Sequence, residues 1–199
     1  MDQRLFYPAT ERNRDVILDV LKDFFPTKGQ CLEIASGSGE HVVHFASAFP
    51  DVTFHPSDLE KDCLNSITAW TAHQGLTNIQ PPQMLDTTQD NWDLPQLDAI
   101  LCINMVHISP WEATIGLIEK AGTFLKEGGC LYLYGPYRRF GKHTAPSNES
   151  FEGWLKSKDE RFGVRHMEEV EAEADKNGLK LSQIVDMPAN NFSLVFRKV

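Results

Sequence analysis

The stretch Cys31-Leu32-Glu33-Ile34-Ala35-Ser36-Gly37-Ser38-Gly39-Glu40-His41-Val42 decides the fold. Cys31, Leu32 and Ile34 form a short apolar run of buried-strand character, and Val42, Val43, Phe45 and Ala46 recur at helical spacing beyond the glycines. A strand that turns into a helix through glycines presents free backbone N–H groups at the positive end of the helix dipole. Glycines also let a ligand approach the main chain closely.

Two ligand classes compete for such a turn. The dinucleotide fingerprint G-x-G-x-x-G needs a third glycine for close helix–strand packing. Counting from Gly37 and Gly39, that position holds Val42, so the fingerprint fails. Glu33 instead stands inside the strand end, with Ala35, Gly37 and Gly39 on alternate positions. The pattern resembles the E/D-x-G-x-G-x-G loop of class I methyltransferases, with Ala35 in place of the first glycine. A glycine-rich turn without a ligand is the plain alternative.

Composition narrows the field. A chain of 199 residues with 41% apolar side chains can bury the core of one domain, expected over 1–199. No apolar run approaches membrane-spanning length, and the N-terminus lacks a signal-peptide pattern, so a cytoplasmic location is expected. Cys31, Cys63, Cys102 and Cys130 are scattered without a C-x-x-C pair, which favours reduced core thiols over a metal site; no metal is expected. A net charge of −9 argues against a nucleic-acid partner.

Residues beyond the loop supply further candidates. Thr10 is expected to cap a helix over residues 11–25 that carries Arg12 and Asn13 near a pocket. Val52–Pro56 reads as a second strand ending at Asp58, about 20 residues past Gly39, where nucleoside-binding α/β folds hold a ribose diol. Asp58 could equally cap the helix expected from Leu59 to Gln74. Ile79–Leu85 reads as an edge strand, with Pro81-Pro82 confining it there, and Asp86 follows as a cofactor contact or a turn residue. Asp98–Asn104 reads as a central parallel strand, and its carboxyl end carries Asn104, Met105 and His107. His107 is the first candidate for a base, with Tyr137 second.

A helix over residues 112–125 is expected to close on Gly128-Gly129, and Cys130–Tyr134 to form the next strand. The basic cluster Arg138, Arg139 and Lys142 suggests a carboxylate-bearing substrate, with His143 and Asn191 as further pocket groups. Gly141–Asn148 reads as a loop within a substrate or lid segment, residues 135–165, followed by a helix capped by Ser150. A helix over residues 167–177 precedes strands Leu179–Met187 and Phe192–Lys198 around the turn Pro188–Asn191.

Pro8–Asn13, Leu32–His41, Pro56-Ser57-Asp58, Gly135-Pro136-Tyr137, Ser147-Asn148 and Pro188–Asn191 together resemble the methyltransferase-like protein 26 family over nearly the full chain. The resemblance implies a Rossmann-like α/β fold of class I methyltransferase type: a mostly parallel seven-stranded sheet with a C-terminal antiparallel hairpin and helices on both faces. It implies S-adenosyl-L-methionine as cofactor, S-adenosyl-L-homocysteine as product, and the N-terminal arm and helix, residues 1–25, lying over the cofactor. Arg12, Asn13, Glu33, Ala35, Ser36, Gly37, Gly39, Asp58, Leu59, Asp86, Asn104 and Met105 then form the expected cofactor set. The expected partner is a small-molecule acceptor, with the protein a monomer or homodimer. The alternative is a non-catalytic protein that binds the cofactor or a partner on the same fold.

Overall fold

The protein, a computed structural model, is described over residues 2–90 and 92–199. Its main sheet uses β1 (Gly29–Ile34), β2 (Val52–Pro56), β3 (Leu97–Ile103) and β4 (Leu125–Gly135). A small separate hairpin of β5 (Arg138–Arg139) and β6 (Lys142–His143) follows, and β7 (Leu179–Met187) and β8 (Asn191–Lys198) complete the main sheet. The order is β2-β1-β3-β4-β8-β7. The first four strands run parallel, β8 lies antiparallel to β4, and β7 is antiparallel to β8. Because β1 is followed on one side by β2 and on the other by β3, the connections leaving it and β3 diverge. A crevice opens there at the carboxyl ends of the strands, the usual ligand position in open α/β sheets.

Alternation along each strand splits the core into two layers. Cys31, Phe54, Ala99, Leu101, Tyr132 and Val195 face one side. Against them pack α1 (Pro8–Phe24), α2 (Glu40–Ala48) and α3 (Lys61–Gln74), through Ile17, Leu21, Val42, Phe45 and Ile67. Leu32, Ile100, Leu131, Leu133, Leu194 and Phe196 face the other way. They meet α4 (Trp111–Phe124) and α6 (Met167–Lys176) through Leu117, Ala121, Val170 and Ala174. Helix α5 (Pro146–Lys158) lies beside the small hairpin.

Several expectations need correcting. The main sheet has six strands, not seven. Residues 79–85 make only isolated parallel bridges, Phe54 to Ile79 and Ser57 to Gln83, because Pro81 and Pro82 have no N–H to continue a ladder. Helix α1 begins at Pro8 with Tyr7 as its cap, and Thr10 lies buried in its first turn. Likewise α5 begins at Pro146, and the Ser150 hydroxyl donates back to the Pro146 carbonyl at 3.2 Å. Proline's fixed φ suits a first helical position, so it outranks the hydroxyl downstream in both places. Helix α3 starts at Lys61 behind Glu60 rather than at Leu59. Residues 126–129 belong to the entry of β4, with Gly128 at φ +76°, and do not close α4. The segment expected as the loop Gly141–Asn148 holds β6 and the start of α5, turned by Phe140 and Gly141 at φ +51° and +76°.

Candidate functional site

The loop after β1 coils through three left-handed residues on alternate positions: Ala35 (φ +54°), Gly37 (+58°) and Gly39 (+88°). Ala35 adopts this conformation at a cost of about 1 kcal/mol, because its Cβ crowds the neighbouring carbonyl. Gly39 has a second constraint, since a Cβ there would lie 2.8 Å from the Ile67 Cα in α3. The opening turn of α2 is already neutralised. The buried Glu40 carboxylate accepts hydrogen bonds from the Tyr7 N–H and the Ser38 hydroxyl, both at 2.8 Å. A pyrophosphate brought to this turn would meet that negative charge.

A cavity of about 610 Å³ opens beside the loop, lined by Ala35, Asp58, Leu59, Asp86, Met105 and Phe162 among others. Among the described residues, its walls carry the carboxylates of Asp58, Glu60 and Asp86 and no basic side chain. Asp58 accepts the Gly37 N–H at 2.8 Å and the Glu60 N–H at 3.0 Å, so it braces the glycine loop rather than capping α3. A carboxylate offers about four acceptor positions, which leaves Asp58 capacity for a ligand. Asp86 lines the cavity and also closes its own turn, accepting from the Thr88 N–H and hydroxyl at 2.9 and 2.7 Å. Glu33 lies at the strand end and is 2% exposed, with Oε2 unpartnered. Burial pushes its carboxyl up to about 8, a hydrogen bond from Ser36 opposes this, and the charge of Asp58 adds to the rise.

A second cavity of about 470 Å³ is lined by Arg12, Asn13, Asn104, Tyr134, Ala189 and Asn191 among others. Arg12 and Asn13 thus line a different cavity from the carboxylates of the loop side. Asn104 (φ +67°) and Met105 form the wall between the two cavities, one lining each. Tyr134, read in the sequence as an ordinary core residue of a strand, is 3% exposed and lines this second space. Its place at the end of an apolar run beside a candidate site was the available signal.

The remaining sequence candidates lie elsewhere. Ser36 is buried and ties the loop to β2, its hydroxyl receiving the Ser57 N–H at 3.2 Å. His107 is 1% exposed and lines neither cavity; burial lowers it to about 3, and its ring packs on Gly135 and Phe151. Tyr137 is fully buried in the opposite layer with an unpartnered hydroxyl. Arg138 and His143 are engaged by Glu152, the histidine at 2.7 Å, and line neither of these two cavities. Glu152 and Arg165 were missed. Arg165 donates to the carbonyls of Val106 and Ser109 at 3.2 and 2.6 Å and so fixes the segment after β3. The fragments Ser147-Asn148 and Pro188–Asn191 meet in space: Asn148 donates to the Asn190 carbonyl at 3.0 Å, and Asn190 to the Ser147 hydroxyl at 3.1 Å.

Solved structures with the same fold include an O-methyltransferase family protein from Burkholderia thailandensis, with a TM-score of 0.82 and 14% identity over 96% of this chain and 57% of that one. Human N-acetylserotonin methyltransferase, solved in complex with SAM, gives 0.73 and 17% over 96% of this chain and 52% of its own. An O-methyltransferase family 2 protein from Planctomyces limnophilus, solved with apigenin, gives 0.76 and 19% over 94% and 62%. The chain therefore spans little more than half the length of these structures, and at such identities the likeness establishes the fold. A family model described as "Protein of unknown function (DUF938)" matches residues 4–198, so the chain belongs to that family.

Proposed function

We propose that the protein is an S-adenosylmethionine-dependent methyltransferase acting on a small molecule. The observation that carries this reading is the cavity lined by Asp58, Glu60 and Asp86 with no basic side chain among the described residues. S-adenosylmethionine has a sulfonium, an ammonium and a ribose diol, all of which carboxylates can receive. The open acceptor positions of Asp58 suit the diol, Asp86 lies where an adenine amine could donate, and Glu33, kept protonated by burial, is a carboxyl that a cationic tail could ionise. Leu59 and Met105 offer apolar contact to the purine faces. The methyltransferases of the same fold support the reading. The finer resemblance to the methyltransferase-like protein 26 family is part of this proposal and rests on the sequence fragments alone.

When bound, S-adenosylmethionine supplies a methyl group on a sulfonium for in-line displacement. The chain's contribution is to hold the acceptor in line and exclude water, which can account for much of the barrier lowering. His107 is buried within the segment after β3, and its burial and low basicity make it a poor proton acceptor at neutral pH. The buried, unpaired cysteines are suited to a reducing compartment. No helix is long and apolar enough to cross a membrane among the described residues.

Calorimetry with S-adenosylmethionine, S-adenosylhomocysteine and NAD tests the cofactor. Binding of the first two without NAD is expected; NAD binding alone would overturn the reading. A metabolite screen with methyl-labelled cofactor then tests turnover. A pH–rate profile of His107→Gln that keeps the parent's shape would agree with a positioning role.

A further inference from the structure

The second cavity has polar chemistry opposite to that of the first. Arg12 is its one charged lining residue, no carboxylate lines it, and Arg12 makes no ion pair among the described residues. Four residues with amide or hydroxyl side chains line it: Asn13, Asn104, Tyr134 and Asn191. The Asn13 Oδ1 lies 2.8 Å from the His41 Nε2. Burial lowers His41 to about 3, so its neutral ring donates this bond to the Asn13 oxygen. Asn191 donates to the Pro188 carbonyl at 3.0 Å. Tyr134 lines the cavity beside Asn13 and Asn191 and carries a hydroxyl proton that a ligand could receive. Burial raises the phenol, so that proton stays on.

We propose that this second cavity is the methyl-acceptor site and selects a small molecule bearing a carboxylate, with Arg12 gripping the anion and the Tyr134 hydroxyl donating to the acceptor heteroatom. The proposal rests on the S-adenosylmethionine reading of the neighbouring cavity. In the transfer, the acceptor's lone pair forms the bond to the methyl carbon, and the carbon–sulfur bond breaks with its electrons left on sulfur. The proton of a neutral acceptor passes to water, because Tyr134 is already protonated. A volume of about 470 Å³ suits a metabolite of one or two rings.

The test uses ligand-observed NMR on protein saturated with S-adenosylhomocysteine, with matched acid and amide probes: 4-hydroxybenzoate against 4-hydroxybenzamide, and indole-3-acetate against indole-3-acetamide. The acids should bind about tenfold more tightly than the amides, as a charge-assisted guanidinium contact allows. Arg12→Gln should abolish that preference and Arg12→Lys should restore part of it. Calorimetry should find S-adenosylhomocysteine affinity in Arg12→Gln within about twofold of the parent, as expected for a residue outside the cofactor cavity. Tyr134→Phe should weaken acids and amides alike while keeping the preference. Equal binding of acid and amide, binding of neither, or a cofactor loss of about tenfold or more in Arg12→Gln would each overturn the acceptor assignment. In the last case the guanidinium holds the cofactor's own carboxylate. If the parent binds no S-adenosylhomocysteine, the cofactor reading fails first and this proposal with it.

Discussion

The two cavities share one wall and differ in charge. On the side of the glycine loop, carboxylates come from Asp58 and Glu60 after β2 and from the turn at Asp86. On the other side, α1 and the turn between β7 and β8 bring Arg12, Asn13 and Asn191 from opposite ends of the sequence. Asn104 and Met105 are adjacent in sequence yet line different cavities. The contrast teaches that neighbouring strand ends can sort ligands by charge: the carboxylate-lined side disfavours an anion, and the side with Arg12 disfavours a cation.

The largest expected effect breaks the acidic side from within. Glu33 has a folded pKa of about 8, above the ordinary 4.5 of the free group. The folded state therefore holds a proton that the unfolded chain releases, and stability falls as pH rises from about 4.5 to about 8. Glu33→Gln removes that slope. Urea unfolding should find the variant gaining on the parent by a few kcal/mol across this window, while its affinity for the cationic cofactor drops. A difference that stays flat with pH would mean the carboxyl is not buried uncharged.

Next comes Asp58→Ala. Losing hydrogen bonds to a charged acceptor should weaken S-adenosylhomocysteine binding by about 10- to 100-fold in calorimetry. An unchanged affinity would remove the ribose assignment. Asp86 spends part of its carboxylate on its own turn, at 2.7 and 2.9 Å, so Asp86→Asn should cost only about three- to tenfold. A loss matching that of Asp58→Ala would show the adenine side to be the stronger anchor.

The smallest effect marks what lies outside both cavities. Tyr137 carries a buried hydroxyl with no partner, so Tyr137→Phe should leave cofactor affinity unchanged and shift stability by less than about 1 kcal/mol, toward the variant. Tyr132→Phe is the control. It breaks a 2.6 Å bond to Ser193, which is fully buried, and should cost about 1 kcal/mol or more. A fall in turnover for Tyr137→Phe at full cofactor affinity would return Tyr137 to the catalytic candidates.

Strands Val52–Pro56 and Leu179–Met187 were legible at their observed bounds, because short apolar or alternating runs between turn residues carry their own period. The bridge-only segment after residue 78 shows the limit of that signal. Its composition reads as a strand, and two missing N–H groups decide otherwise. The same holds for Arg138, whose basic neighbourhood suggested a substrate contact. Its partner Glu152 lies 14 residues on, in α5, and cannot be inferred from local charge.

Glu33, Gly37, Gly39 and Asp58 stand at spacings that by themselves determined the strand–loop–helix turn and the carboxylate after the second strand, since backbone conformation and strand length are local properties of the chain. Which groups share a cavity was decided only by the tertiary structure. Burial, desolvation and the convergence of Arg12, Tyr134 and Asn191 depend on how distant segments pack, and packing is set by all the contacts at once.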